Sequence, residues 1–447
     1  MSSYTARRLP RHTGVAAWNA ILPEAPVPAP LEADATCDLA IVGAGFAGLS
    51  AARRALQLNP GARIALLDAG RVGEGAAGRN SGFMIDLPHD LQSDDYAGDT
   101  AARDQQIIGL NRAAIAFGQA AVDEYGIDPA YFDRSGKVNG AAGDAAHAHN
   151  QSYAAHLAEL GEPFEHLDAQ AMHALTGSRH YRSGIFTPGG AVLQPAGYVR
   201  GLAAGLARQI ALHEQSPVTG ITRRGPDWQI TANGHRLSAA QVILATNGHL
   251  ESFGIARGRL MHVILFGSMT EELPTEALTA LGGAPRWGVT PSDPMGTTMR
   301  RIDTGQGGNR IVTRTCAEFR PGMEASAAGF ARASRVMRAK FDTRFPALAS
   351  VRMEHVWAGH LCLTRNAVSV TGEIEPGLFS ACVQNGLGAA RGTLTGIAAA
   401  EMAAGATSDI RAFFEGEDAP TRLPPAPIAT LGANALLRWK EHRARRE

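Results

Sequence analysis

Three glycines, Gly43, Gly45 and Gly48, followed by an acid at Asp68, form the pattern in this chain that most directly implies chemistry. In Gly43-Ala44-Gly45-Phe46-Ala47-Gly48 the first glycine permits a tight bend, and the second lets backbone approach a pyrophosphate. The third lets a helix pack closely on the preceding strand. The helix N-terminus then directs free N–H groups and the positive end of its dipole at phosphates. Asp68, followed by Ala69, lies twenty residues beyond Gly48, where a carboxylate accepts hydrogen bonds from ribose hydroxyls. These residues predict a dinucleotide site. A second glycine-rich loop, Gly75-Ala76-Ala77-Gly78-Arg79-Asn80-Ser81-Gly82-Phe83-Met84, follows the acid, and a plain NAD domain has no use for it.

The elements that must hold these residues are legible nearby. Leu39-Ala40-Ile41-Val42 is too uniformly apolar for a half-exposed strand and reads as a buried parallel one. Leu49, Ala52 and Leu56 then fall at helical spacing, with Arg53 and Arg54 on the wet face, until Asn59-Pro60-Gly61 stops the helix. Arg63 to Leu67 is a second strand, completing a strand, turn, helix, strand unit. Further on, 101–125, Asp144 to Leu160 and 326–341 read as helices, and Val242 to Ala245 as another buried strand. Ser183-Gly184 and Pro188-Gly189-Gly190 read as loops, and residues 258–320 as an antiparallel sheet with its best strands at Met261 to Met269 and Ile311 to Thr315. Residues 23–30, PEAPVPAP, form an extended arm that Trp18 packs back onto the body. Leu436 to Glu447 is a basic helix.

Composition narrows the class. Of 447 residues, 42 Lys+Arg balance 42 Asp+Glu, which leaves no general attraction for nucleic acid or an anionic membrane surface. With 45% hydrophobic residues the chain is globular, and no run is long enough for a membrane span. Cys37, Cys316, Cys362 and Cys382 are dispersed without a C-x-x-C, which suits a reducing compartment. No apolar segment follows Arg7 and Arg8, so the expected location is the cytoplasm. His147, His149 and His156 do not share a helix face at ligand spacing, and no metal site is expected.

The second glycine loop resembles the flavin-contacting segment of the D-amino-acid-oxidase-like superfamily of FAD-dependent oxidoreductases, in particular its gamma-glutamylputrescine oxidase-like branch. The resemblance implies FAD as cofactor, with Arg79, Asn80, Ser81, Gly82 and Met84 along the pyrophosphate and ring. It extends to Gln194-Pro195-Ala196-Gly197-Tyr198, to Val218, whose backbone would meet the adenine, and to Ala245-Thr246-Asn247 near the adenosine. Trp357-Ala358-Gly359 and Asn385-Gly386-Leu387-Gly388 are similar to the family's closing signatures, the latter starting a helix whose N-terminus faces the pyrimidine carbonyls. Two departures stand out: Glu272 replaces a usual proline, and the T-x-D-x-x-P segment is degraded to Thr364-Arg365-Asn366-Ala367-Val368-Ser369. The implied fold is α/β: a Rossmann-like FAD-binding domain with a second, mixed antiparallel-sheet and helix substrate domain, both discontinuous. The arm would be 1–35, the FAD domain 36–110, 180–255 and 355–430, the substrate domain 111–179 and 256–354, and the basic helix 431–447.

By the same resemblance, the reaction is oxidation of a C–N bond in a primary or secondary amine, of amino-acid or acylated-polyamine type. Hydride passes to flavin N5 and the imine hydrolyses, with oxygen or another acceptor taking the electrons. His262 is the candidate base, with His360 an alternative. Arg300, with Arg301 beside it, could pair a substrate carboxylate bidentately. Cys316 does not sit in a flavin-tethering motif and is expected to be a buried free thiol. Two other readings stay open: a 2-hydroxy-acid dehydrogenase, and a partner-dependent electron-transfer subunit using the basic tail.

Overall fold

Strand Ala35–Val42 is buried on both faces from Leu39 onward, which suits it to the middle of a parallel array. A computed structural model, describing residues 2–88 and 100–447, places it between the parallel strands Ile64–Leu67 and His235–Leu244. Ala211–His213 and Leu378–Cys382 extend this array in parallel. Antiparallel strands Asp227–Ala232, Val218–Arg224 and Ser3–Thr5 continue it beyond His235–Leu244. The register aligns Val42 with Leu67 and with Leu244, and Leu244 with Ser380, so the parallel strands end at one common edge.

The period of two sorts their side chains into separate cores. Leu39, Ile41, Leu66 and Ile243 face helices Phe46–Leu58 and Ala390–Ala404, whereas Ala40, Val42, Leu67 and Leu244 face the cluster around Trp228 and Ile230.

The second sheet has eight strands, in the order Met353–Thr364, Leu260–Thr270, Arg310–Phe319, Thr298–Ile302, Trp287–Pro291, Lys137–Ala141, Ser183–Thr187, Glu165–Asp168. It is antiparallel except where Lys137–Ala141 meets Trp287–Pro291. Helix Ala327–Arg344 covers part of it. A small ribbon, Phe83–Met84, Ala191–Leu193 and Phe132–Asp133, ties the second glycine loop to the rest. No helix among the described residues is long and apolar enough to cross a membrane.

The structure departs from the expected segments at four places. Residue 110 falls inside the single helix Ala101–Tyr125, whose Leu110, Ala114, Ile115 and Val122 all enter the core of the nucleotide-type sheet. Ser183-Gly184 opens a strand rather than a loop, because Gly184 lies close under Met172 and Val138 of neighbouring elements. Residues 353–364 belong to the eight-stranded sheet as its edge strand, not to the nucleotide-type sheet. The basic helix also begins earlier than Leu436, spanning Ala426–Arg443.

The crossing of helices Phe46–Leu58 and Ala390–Ala404 holds the first glycine turn in place. A Cβ at Gly396 would lie 2.1 Å from the Ala47 carbonyl oxygen. Gly396→Ala should therefore force the helices apart, costing about 1–3 kcal/mol of stability and weakening FAD retention. Thermal unfolding with and without FAD measures both effects, and an unchanged melting temperature would contradict the packing account.

Candidate active site

The first glycine turn crosses the edge where the parallel strands end. Gly43 adopts φ +108°, and a Cβ there would sit 2.6 Å from the Ala245 carbonyl oxygen. A Cβ on Gly48 would fall 1.8 Å from the Gly43 oxygen, so helix and turn touch through bare backbone. Asp68, at the tip of the neighbouring strand, accepts hydrogen bonds from Ala44 N at 2.7 Å and Gly70 N at 2.9 Å. Burial, joined by Glu214 and Glu74, raises its pKa to about 6 against the opposing pull of those two amides.

These groups wall a cavity of about 340 Å³ that also takes in Ala69, Val218, Ala245, Thr246 and Asn247. Arg8 and His12 of the N-terminal arm also line it, brought near by the pairing of Ser3–Thr5 with Val218–Arg224. Burial, then Arg79, lowers the His12 pKa to about 4.

A second chamber of about 190 Å³ continues from the first through shared walls at Gly45, Ala245, Asn247 and His360. Phe46, Ala47, Arg79, Asn80, Ser81, Gly359, Gly386 and Gly388 line it. A Cβ on Gly388 would meet nothing within 4 Å, and one on Gly45 only Ala77 at 3.7 Å, so bare backbone faces the space. The buried Oδ1 of Asn247 has no partner within the protein and is an acceptor awaiting a donor. Two adjoining chambers that share these walls, with a phosphate-type turn at their junction and a helix N-terminus beside the second, fit FAD. A further cavity of about 450 Å³, walled by Arg443, Arg445, Arg446 and Glu447, has no such turn.

The second glycine loop is held by buried side chains. Arg79 donates to the carbonyls of Glu74, Thr13, Gly14 and Ala358, and burial lowers its pKa to about 10. Trp18 Nε1 donates to Asn80 O and Trp357 Nε1 to Arg79 O, both at 2.9 Å. Asn80 folds back on the loop, its Nδ2 donating to Ala77 O at 2.6 Å and its Oδ1 accepting from Gly82 N at 2.7 Å.

Among the expected site residues, Gly48, Gly82, Met84, Trp357, Asn385 and Leu387 stand behind the cavity wall rather than in it. Asn385 is occupied, accepting from Thr364 N at 2.8 Å and donating to the carbonyls of Ala367 and Val368. Arg300, expected to pair a substrate carboxylate, lines neither chamber and holds the loop instead. Its guanidinium is fully buried and donates to Ser81 O, Leu193 O and Gln306 Oε1 at 2.6–2.9 Å, while stacking on Trp18. Burial, with nearby Arg286, brings its pKa down to about 9. Arg301 donates to the carbonyls of Gly282 and Ala284, also away from the cavity. His262 lies one layer behind the wall, and His360 is the histidine that lines both chambers. Cys316 is buried and free, and does not line either chamber. His156 pairs with Asp104 and His147 with Ser183.

Sequence reasoning missed Arg314, Leu265, Phe266 and Leu361, which wall the second chamber from the eight-stranded sheet. Alternation within that sheet is the only local signal for them. Strand register decides which face each occupies. His249 and the arm residues Arg8 and His12 were equally invisible, because their positions depend on contacts distant in sequence.

The fold and this channel define a dinucleotide-binding flavoprotein. The chain belongs to the DAO family of FAD-dependent oxidoreductases, whose model matches residues 38–402. It is 25% identical over 448 residues, 96% of each chain, to the probable oxidoreductase OrdL of Rhizobium meliloti (strain 1021). It is 30% identical over 224 residues to the gamma-glutamylputrescine oxidoreductase of Escherichia coli (strain K12), covering 48% of this chain and 50% of that one. Glycine oxidase from Geobacillus kaustophilus superposes with a TM-score of 0.69 at 18% identity, over 88% of this chain and 100% of that one. The protein is an enzyme, and FAD is its cofactor.

Asp68 must be ionised to accept from both ribose hydroxyls and the two amides. Asp68→Asn should weaken FAD binding at pH 7.5, and the gap from wild type should close as pH falls through about 6, where the native carboxyl protonates. Fluorescence titration of FAD across pH reads this, and a gap independent of pH would refute it. Arg300→Lys replaces a planar fork with a compact ammonium that cannot span the three separated acceptors Ser81 O, Leu193 O and Gln306 Oε1. It should reduce FAD affinity about tenfold, the equivalent of one charged hydrogen bond, while leaving discrimination between substrates untouched. A changed preference for carboxylate-bearing substrates would return Arg300 to substrate binding.

Proposed function

We propose that the chain oxidises the C–N bond of a primary or secondary amine that also carries a carboxylate, giving an imine that water hydrolyses. One observation carries this reading. Arg314 is set among Leu265, Phe266 and Leu361 in the second chamber, and no acidic side chain lines that chamber among the described residues. The chamber's lining carries guanidinium groups and no acid, so its charge favours a substrate that bears a carboxylate over a polycationic amine. The names of the similar proteins, a gamma-glutamylputrescine oxidoreductase and a glycine oxidase, agree with an amine substrate that bears a carboxyl group.

Bound FAD supplies the two-electron acceptor. The protein's part is to hold the substrate amine against the chamber, with Arg314 fixing its carboxylate, and to exclude water with Leu265, Phe266 and Leu361. Arg79, Asn80 and Ser81 keep the loop rigid beside it. The site residues proposed to contact FAD are the lining set above, with Gly48, Gly82, Met84, Trp357, Asn385 and Leu387 supporting them from behind.

Anaerobic bleaching of the visible flavin absorbance tests the reading with amines, amino acids and 2-hydroxy acids. Carboxylate-bearing amines should bleach it. Arg314→Gln should raise their apparent KM at least about tenfold, while leaving kcat for a simple amine nearly unchanged. Bleaching by 2-hydroxy acids alone would replace this proposal with the dehydrogenase reading. Bleaching by none of them would favour a partner-dependent role.

A further inference from the structure

A buried acid–histidine–histidine chain runs from the surface to the channel. Glu251 Oε2 lies 2.6 Å from His262 Nε2, and His262 Nδ1 lies 3.1 Å from His360 Nε2. Its placement comes from two separate parts of the fold. His262 and His360 are diagonal neighbours on paired strands, His262 facing Cys362 and His360 facing Ile264, so they share one face. Glu251 comes from the turn Asn247–Phe253 that ends a strand of the other sheet. Gly248 in that turn makes room, since a Cβ there would stand 2.5 Å from His360 Cε1 and 3.0 Å from His262 Nδ1. The His262 side chain is 1% exposed and that of Glu251 20%, so Glu251 is the outer end.

The bond pattern fixes a direction. A carboxylate only accepts, so His262 donates from Nε2 and its Nδ1 becomes an acceptor. His360 must then donate from Nε2. Its Nδ1 is left as an unprotonated acceptor on the ring that lines both chambers.

We infer that Glu251, His262 and His360 form a protonatable counter-charge for the cofactor channel, taking up one proton when negative charge enters it on reduction. The proton, drawn from solvent, binds His360 Nδ1, and the Nε2 proton of His360 passes to His262 Nδ1. The positive charge then rests on His262 against the Glu251 carboxylate, and no electron moves within the chain. Without that carboxylate the buried rings would have to hold a cation unaided. The surroundings agree: burial holds His360 neutral before the charge arrives. His249 is lowered to about 4 by burial and by His262, His12 and Arg8. Burial raises the Glu251 carboxyl, but its bonds to His262 and the Gly258 amide, with Arg257 nearby, outweigh it and keep the group ionised. His262 and Glu251 are positioning residues, and only His360 borders the cofactor's space.

Spectroelectrochemical titration of the FAD-loaded protein, without substrate, counts the protons taken up per electron pair from the slope of midpoint potential against pH. The wild type should take up two between pH 6 and 8. Glu251→Gln, which keeps the hydrogen bond but removes the charge, should halve the slope, and so should His360→Asn. A one-proton slope in the wild type, or equal slopes in all three proteins, would overturn the inference. Nitrogen-15 spectra of the FAD-free wild type provide a check that needs no bound cofactor. Both rings should carry their proton on Nε2, and a proton on His360 Nδ1 would also overturn it. Neither measurement depends on which substrate is oxidised, so failure here is separable from failure of the amine reading.

Discussion

Everything at the active site depends on one close backbone contact, where Gly48 lies so near the Gly43 carbonyl that a Cβ would stand 1.8 Å from its oxygen. That contact brings the N-terminus of helix Phe46–Leu58 against the end of strand Ala35–Val42, with Ala245 of the adjoining strand on the other side. The helix dipole and its free amides therefore converge on the edge where four parallel strands finish. A second helix, Ala390–Ala404, crosses the first at an equally close approach through Gly396 and brings Gly386 and Gly388 to the far end of the channel. Small residues at the crossings remove side-chain volume where the cofactor needs backbone.

The second glycine loop has little regular structure of its own, and side chains from distant segments supply its rigidity. Arg79, Arg300, Trp18 and Trp357 aim buried N–H groups at backbone carbonyls of or around this loop. Each such bond adds modest net stability, about 1 kcal/mol, but a buried guanidinium left without acceptors would cost several times that. The loop can therefore move only by breaking several bonds together. This accounts for an arginine as buried as Arg300 being spent on positioning rather than on substrate, while Arg314, on the adjoining strand, reaches the chamber.

The channel's charge is set by burial as much as by residue type. Asp68 is an acid whose pKa is lifted to about 6, and the histidines around the junction of the chambers are held neutral. A group so poised responds to charge arriving nearby, because in a low-dielectric setting even one added charge outweighs the desolvation that suppressed ionisation. The two sheets meet at this junction, so its electrostatics are a product of their packing.

The glycine spacing, the uniformly apolar strands and the position of Asp68 determined the nucleotide half of the protein without help from any distant contact. Each is a local property: a bend that needs a bare backbone, a strand buried on both faces, an acid at a strand tip. The Trp18 anchor and the helices Ala101–Tyr125 and Ala327–Arg344 were legible for the same reason, through composition and period. Tertiary structure alone decided the substrate side. Arg300 and Arg314 are both arginines in a β-rich stretch, and the pairing of Thr298 with Arg314 and of Arg300 with Val312 puts them on one face of the sheet, where Arg300 meets the loop carbonyls and Arg314 the chamber. His262, His360 and Glu251 likewise meet only because strand register and the turn after His235–Leu244 bring together residues that lie far apart in the chain. A slip of one residue would turn each of those strand side chains to the opposite face, and nothing in the local sequence states which register wins.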